Sequence, residues 1–404
     1  MRKYVVIVGG ELFNKGAQAL TFTAVDQIKT RFPNTQIVLL SSMDFKRPNE
    51  EKDKYAFEIL PFSLDLKSDL LGGLYKSYDY LSLVINKRKA SKDIRNKVKN
   101  IFKNSTAMID ISGFALSSQR GEFSSLQYLL NLKIARKYNI PTFLFPQSFG
   151  PFNYGPIRNL VFHKLIKKEL SNVKKIYVRE DDGMENLKKL GLNNIQRSYD
   201  IVLQNTKSYS KSNIYKSDNV NMKVNDLVIE NSIGIIPNVK IMKHGNATQL
   251  YNLYYQLIDH LIKNNKNVYF LRHSYEDKEI IENIKQKFPQ NKKIFYLDED
   301  YSCIEIDEII KKFNFIIGSR YHSIVHAYKN FVPAIVLGWA IKYDELLSAF
   351  DQNEFCFDVR GEIEVKDAIA KLDILLKSFE QERDIISKKY KEITTNNIFD
   401  KVNF

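Results

Sequence analysis

Hydrophobic residues come in short unbroken runs separated by amphipathic stretches, and this alternation divides the chain into two series. The first opens at residues 4–8, an apolar run (Tyr-Val-Val-Ile-Val) suited to a strand buried on both faces of a parallel sheet. A Gly-containing loop over 9–16 leads into helical spacing over 17–31, which Pro33 ends. Further strands are predicted at 37–40, 107–111, 142–145 and 176–178, with a helix over 126–138. The second series begins with a strand at 233–236. A helix over 248–262 follows, with Leu250, Leu253, Leu257 and Leu261 on one face. Then come strands at 268–271, 294–297, 315–317 and 334–337, and helical spacing over 365–379 carried by Val365, Ile369, Leu372 and Leu376. Strands alternating with helices predict parallel sheets covered on both faces, and two such units predict a cleft between them. The polar stretch 204–226, rich in Ser, Lys and Asn, separates the series. The domains are therefore expected at 1–205 and 231–404, the latter including C-terminal helices, with 206–230 a linker or flexible loop.

A length of 404 residues fits two domains, and 44% apolar residues suffice for a large core. Cys303 and Cys356 are too few for a disulfide scaffold or a thiolate metal cluster. The first residues lack the pattern of a secretory leader, and no apolar run reaches the length of a membrane span, so a cytoplasmic location is expected. The net charge of +14 is partly local: the run 87–103 holds Lys87, Arg88, Lys89, Lys92, Arg95, Lys97, Lys99 and Lys103. It reads as a solvated helix face or as a surface for anionic membrane or an acidic glycan carrier. No nucleic-acid-binding motif surrounds it, and nucleic acid is not an expected partner.

Ligands of open parallel sheets sit beyond the C-terminal ends of strands. At those ends this chain places Gly9 and Gly10, then Asn14, Lys15 and Gly16; Asp110, Ser112 and Gly113; Gln147 and Ser148; Arg179; Asn238; Arg272 and His273; and Ser319, Arg320 and His322. The planar fork of Arg179, Arg272 or Arg320 matches a carboxylate or a phosphate, and the alternative for each is a structural acid in the cleft. His322 falls in the first turn of a helix running through His326. There the helix dipole disfavours imidazolium and a bound phosphate favours it, a balance suited to a general acid. The alternative is a hydrogen-bonded structural histidine. No Glu or Cys accompanies the His322–His326 spacing in a metal-binding pattern, so no metal is expected there. His273 is a weaker candidate, and His163, His244 and His260 read as surface or packing residues. Asn14, Lys15 and Gly16 precede a helix whose N-terminus suits an anion, or form a plain tight turn; the dinucleotide fingerprint is not met. Trp339 reads as core or as a platform for a sugar ring.

Taken together, the stretches 9–20 (GGELFNKGAQAL), 109–121 (IDISGFALSSQRG), 146–152 (PQSFGPF), 177–180 (YVRE), 199–203 (YDIVL) and 318–327 (GSRYHSIVHA) resemble the polysaccharide pyruvyl transferase family. The resemblance implies two Rossmann-like domains of glycosyltransferase-B type, the first on the acceptor side with part of the donor site and the second on the donor side. It implies phosphoenolpyruvate as donor substrate, with no separate cofactor, and a sugar diol of a surface glycan or its lipid-linked precursor as acceptor. It also implies that Arg179, Arg320 and His322 hold the donor. Many members carry Asn-x-Gly-Asp in the first loop; here Ala17 stands in place of that Asp, outside the common acceptor pattern.

The residues and the resemblance together predict His322 as the general acid, with Arg179 and Arg320 neutralising the donor's anionic groups. Gln147, Ser148 and Asp110 are expected to orient the acceptor. A basic surface would hold the protein at the inner membrane face beside a lipid-linked precursor. The competing readings are a nucleotide-sugar glycosyltransferase of the same fold class, an enzyme of this fold with another donor, and a non-catalytic scaffold of glycan assembly.

Overall fold

The computed structural model describes residues 4–72, 90–217, 224 and 227–403. Seven parallel strands make the first sheet: β1 (Tyr4–Val8), β2 (Gln36–Ser41), β3 (Glu58–Pro61), β4 (Ser105–Asp110), β5 (Thr142–Gln147), β6 (Lys175–Val178) and β7 (Ile195–Arg197), in the order β3-β2-β1-β4-β5-β6-β7. Six make the second: β8 (Ser232–Ile236), β9 (Asn267–Leu271), β10 (Ile294–Leu297), β11 (Phe315–Gly318), β12 (Ala334–Gly338) and β13 (Cys356–Asp358), in the order β10-β9-β8-β11-β12-β13. Both orders reverse direction beside the first strand of their half, which opens a crevice at each reversal. These are two Rossmann-like α/β units of glycosyltransferase-B type. The central strands are fully buried, which is why they read as continuous apolar runs.

Three strands escaped the hydrophobic pattern. β3, β7 and β13 lie at or beside sheet edges, are three or four residues long, and carry polar or half-buried positions. A one-sided edge strand needs no apolar run.

One apolar cluster joins the halves. Val25 and Ile28 of the helix Lys15–Arg31 share it with Ile306 and Ile309 of the helix Cys303–Ile310, and with Ile324 and Val325 of the helix Tyr321–Lys329. The segment expected as a linker contributes to it: a helical turn at Lys211–Ile214 buries Ile214, and Tyr209 is buried with its hydroxyl on Thr23. The helical spacing over 365–379 is the first half of a longer helix, Val365–Thr394, interrupted at Ser378. Its first half packs on the second sheet through Ala368, Leu372 and Leu375. Its second half and the residues after it return to the first sheet. Tyr390 donates to the Asn205 carbonyl, Asn397 to that of Gln204, and Phe399 meets Phe145 edge-on at 5.2 Å.

Of the basic run, Lys87, Arg88 and Lys89 lie outside the described residues. The helix Lys92–Lys103 holds the rest, and there Arg95 pairs with Asp65 and Asp69 while Lys97 pairs with Glu58. Among the described residues no helix is long and apolar enough to cross a membrane.

Candidate functional site

β6 ends at Val178, so Arg179 leaves the sheet at its C-terminal edge and Glu180 begins the turn into the helix Asp181–Lys189. The Arg179 guanidinium donates to Glu180 Oε1 at 2.7 Å, Asp200 Oδ2 at 3.1 Å and Ser148 Oγ at 2.7 Å. Ser148 in turn donates to Glu180. The second domain closes over the group: the Tyr321 ring lies 4.6 Å from the guanidinium carbon and 5.1 Å from Lys342 Nζ. Burial opposes the charge on Arg179, but Glu180, Tyr321 and Asp200 more than offset it and raise the guanidinium above its ordinary value. Lys342 is pushed down to about 8 by burial and by Arg179.

Asp200 caps the turn Ile201–Gln204 through the Val202 N–H. Burial works against its ionisation, yet His322, Arg179 and that N–H hold it at about 2. His322 Nε2 stands 3.5 Å from Asp200 Oδ2, an ion-pair separation without a hydrogen bond. Burial depresses the imidazole; Asp200 pulls it back up, while Arg179 and His326 push it down, and it stays below its usual value.

Gly16 touches the other side of the ring. A Cβ there would lie 2.4 Å from His322 Nδ1, so only glycine lets the first loop close on the imidazole. Asn14 Oδ1 accepts from the Gly16 and Ala17 N–H groups and caps the helix Lys15–Arg31. The N-termini of that helix and of the helix Tyr321–Lys329 therefore meet at His322, a place whose dipoles favour an anion. Replacing Gly16 with alanine is expected to displace the imidazole and slow turnover by about 10²-fold, the cost typical of a misplaced reacting group. Helicity would not suffer, since alanine is the better helix former by about 1 kcal/mol. Steady-state kinetics beside a thermal melt check both parts; unchanged turnover would mean the ring's position is unimportant.

Arg320 is directed elsewhere. It donates to both Asp277 oxygens, at 2.9 and 2.5 Å, and to Glu276 at 2.7 Å, rather than joining Arg179. Lys240 also faces Glu276, at 3.5 Å. Asn238 and Ser319 hold the backbone here: Asn238 and Tyr343 both donate to the Ser319 carbonyl.

Lys15, Arg272 and His273 line a cavity of about 640 Å³ between the domains, with Gln18, Arg47, Tyr215, Asp300 and Ser302 among its walls. Lys15 bridges the cleft to Asp300 at 2.7 Å, and Arg272 donates to the Asp298 carbonyl at 2.5 Å. His273 is buried with Nε2 unpartnered; burial, then Arg320 and the neighbouring histidines, hold it well below its usual value.

Asp110, Ser112, Gly113 and Gln147 form a separate polar group beneath Ser148. Asp110 Oδ1 accepts from the Ser112 N–H and from Gln147, Tyr128 donates to Gln147, and the Gly113 carbonyl accepts from the Ser148 N–H. Burial pushes Asp110 up to about 6 and Lys67 down to about 7, each partly relieved by the other.

The remaining histidines and Trp339 are packed or paired. His326 is bonded to Asp307 at 2.7 Å, which with Lys329 and Asn330 on the same carboxylate anchors the helix that carries His322. His163 meets the Phe152 carbonyl and His260 meets Asp373. Trp339 stacks on His244 at 5.2 Å.

The sequence sets Glu180 beside Arg179 after a strand without giving it a role, and singles out neither Asp200, Tyr321 nor Lys342. Glu180 did carry a signal, standing as an acid just past a strand end; Asp200 follows β7, which has no apolar run to mark it, and Tyr321 and Lys342 carry none until the domains meet.

Residues 14–340 match the family model described as polysaccharide pyruvyl transferase. No curated protein matches the chain. Among solved structures, UDP-GlcNAc 2-epimerase from Methanocaldococcus jannaschii is similar at 15% identity over 93% of each chain, with a TM-score of 0.58. The UDP-GlcNAc 2-epimerase from Neisseria meningitidis, bound to UDP-GlcNAc, is 12% identical over 96% of each chain, with a TM-score of 0.56. Anabaena Alr3699/HepE, in complex with UDP and glucose, is 11% identical over 98% of this chain and 96% of that one, with a TM-score of 0.55. At these identities the likeness is one of fold.

Proposed function

Because the chain belongs to the polysaccharide pyruvyl transferase family, we propose that it moves a pyruvyl group from phosphoenolpyruvate onto two hydroxyls of a glycan sugar as a ketal, releasing phosphate. The observation that carries this reading is the meeting of Arg179 and His322, from opposite domains, on Asp200, where two helix N-termini also converge.

The donor carries a carboxylate and a phosphate. Helix dipoles and a permanently charged guanidinium stabilise such groups, most of all the charge that grows on a departing phosphate. In the reaction a proton is delivered to the methylene carbon, which becomes the methyl group, and one sugar oxygen bonds to the central carbon. The second sugar oxygen then bonds to that carbon as the carbon–oxygen bond to phosphate breaks. Of the two hydroxyl protons, one balances the methyl group and the other leaves with phosphate or solvent. His322, made more basic by the bound anion, supplies the first proton; Arg179 and Lys342 face the anion. Arg320 joins only if the donor displaces Asp277 or Glu276 from it. Ser148, backed by the buried Gln147 and Asp110, orients the acceptor, which is a glycan or its lipid-linked precursor.

Calorimetric titration with phosphoenolpyruvate is expected to give micromolar-to-millimolar binding (about −8 to −4 kcal/mol), lost in Arg179→Ala. Heat from a nucleoside diphosphate sugar with none from phosphoenolpyruvate would replace this reading with a glycosyltransferase.

A further inference from the structure

The helix Pro156–Leu170 is apolar on both faces. Phe162, Ile166 and Leu170 point into the core of the first domain. The opposite face exposes Ile157 at 86%, Leu160 at 76% and Val161 at 55%, followed by exposed Lys164, Lys167 and Lys168. Steps of three and four put these six side chains in one stripe along the helix. The stripe is apolar in its first two turns and cationic in the next two. The helix's one acid, Glu169, is buried on Arg136, so no acid of this helix interrupts the stripe, and the neighbouring Glu122 is paired with Arg158.

The apolar end has a definite place. The helix follows β5 and runs back against it, so its N-terminal turns lie at the C-terminal edge of the first sheet, the edge that carries Ser148 and Arg179. Phe123, in the first turn of the helix Glu122–Lys137, is 50% exposed at the same edge, and the Arg158–Glu122 ion pair ties the two helix starts together. Among the described residues none covers this patch. Large aliphatic side chains this exposed and this contiguous mark an interaction surface.

We propose that this face seats the protein on an anionic lipid bilayer. Ile157, Leu160, Val161 and Phe123 enter the headgroup–acyl boundary, and Lys164, Lys167 and Lys168 lie against acidic headgroups. Charge decides the occupant. A protein partner would bury an apolar patch equally well, but an apolar tip continued by an acid-free lysine row on a chain of net charge +14 matches a surface that is both oily and negative. This surface is distinct from the basic run at 87–103. It sets the catalytic cleft at the bilayer, and it stands whether or not phosphoenolpyruvate is the donor.

The test is flotation of the whole chain with vesicles of phosphatidylcholine alone and of phosphatidylcholine with phosphatidylglycerol, at low and high salt. Wild type is expected to float with the acidic vesicles and to release at high salt. Ile157→Ser/Leu160→Ser/Val161→Ser is expected to lose flotation at either salt. Lys164→Gln/Lys167→Gln/Lys168→Gln is expected to bind the acidic vesicles about fivefold more weakly per lysine removed, roughly 100-fold in all. All six positions are exposed, so both variants should melt like wild type, and a melt confirms it. Wild type that ignores acidic vesicles, or a serine variant that floats as well as wild type, overturns the proposal. A wild-type dimer in solution that the serine variant breaks, with no vesicle binding, also overturns it and assigns the face to a second copy of the chain.

Discussion

An Arg179→Ala enzyme is expected to show no measurable pyruvyl transfer and to unfold more readily than wild type by about 3–5 kcal/mol, the usual cost of removing one partner from a buried ion pair. The guanidinium is the only cation hydrogen-bonded to Glu180 and Asp200 among the described residues, and both acids are buried. Removing it leaves two buried carboxylates that keep Ser148 and the Val202 N–H as donors but lose their hydrogen-bonded cation. Arg179→Lys keeps the charge, but a single ammonium cannot reach Glu180, Asp200 and Ser148 from the flat geometry the fork provides. It is expected to recover part of the stability and little of the rate. Adding Asp200→Asn to Arg179→Ala separates the roles. The double variant should regain stability, because one orphaned charge is gone, and should remain inactive. Thermal melts and kcat/KM for phosphoenolpyruvate read both; an Arg179→Ala enzyme that turns over normally would falsify the donor-site assignment.

His322→Ala is expected to lower kcat by about 10²–10⁴-fold, the range for losing a positioned acid–base group. The pH profile adds a sign. In the free protein the imidazole is held below its usual value of 6.5, so the protonated form is present only at lower pH and is lost as pH rises through the depressed value. If His322 is the acid, kcat/KM falls there. A bound phosphate raises the imidazole, so kcat falls at a higher pH than kcat/KM. Asp200→Asn removes the carboxylate that supports imidazolium and should move the fall in kcat/KM to still lower pH. Limbs that coincide in wild type and do not move in the variant would argue that His322 only packs the interface.

Much of the fold was legible because buried parallel strands are apolar by necessity. β1, β2, β4, β5 and β6 and their partners in the second half stand out as runs, and the loops at their ends are where the polar residues gather. Arg179, Ser148, Gly16 and His322, read as strand-end residues, do meet in one cluster. Arg320 shows the limit of that reading. It too follows a strand, yet its fork is taken by Asp277 and Glu276 from the turn after β9, two acids with no mark of that role in the sequence. The Gly16–His322 contact was equally hidden, since a glycine before a helix reads as a turn until a ring is found against it.

By itself the sequence determined two parallel α/β units and the strand ends at which their polar residues stand. Those features follow from burial and periodicity, which are written along the chain. The tertiary structure decided which strand ends face one another, that Asp200 joins Arg179 to His322, and that the tail after Ser378 crosses back to the first sheet. It also decided that the helix Pro156–Leu170 keeps an oily stripe uncovered. These depend on how the two halves pack, and packing places side chains from distant segments in contact without leaving a local period or spacing for the sequence to show.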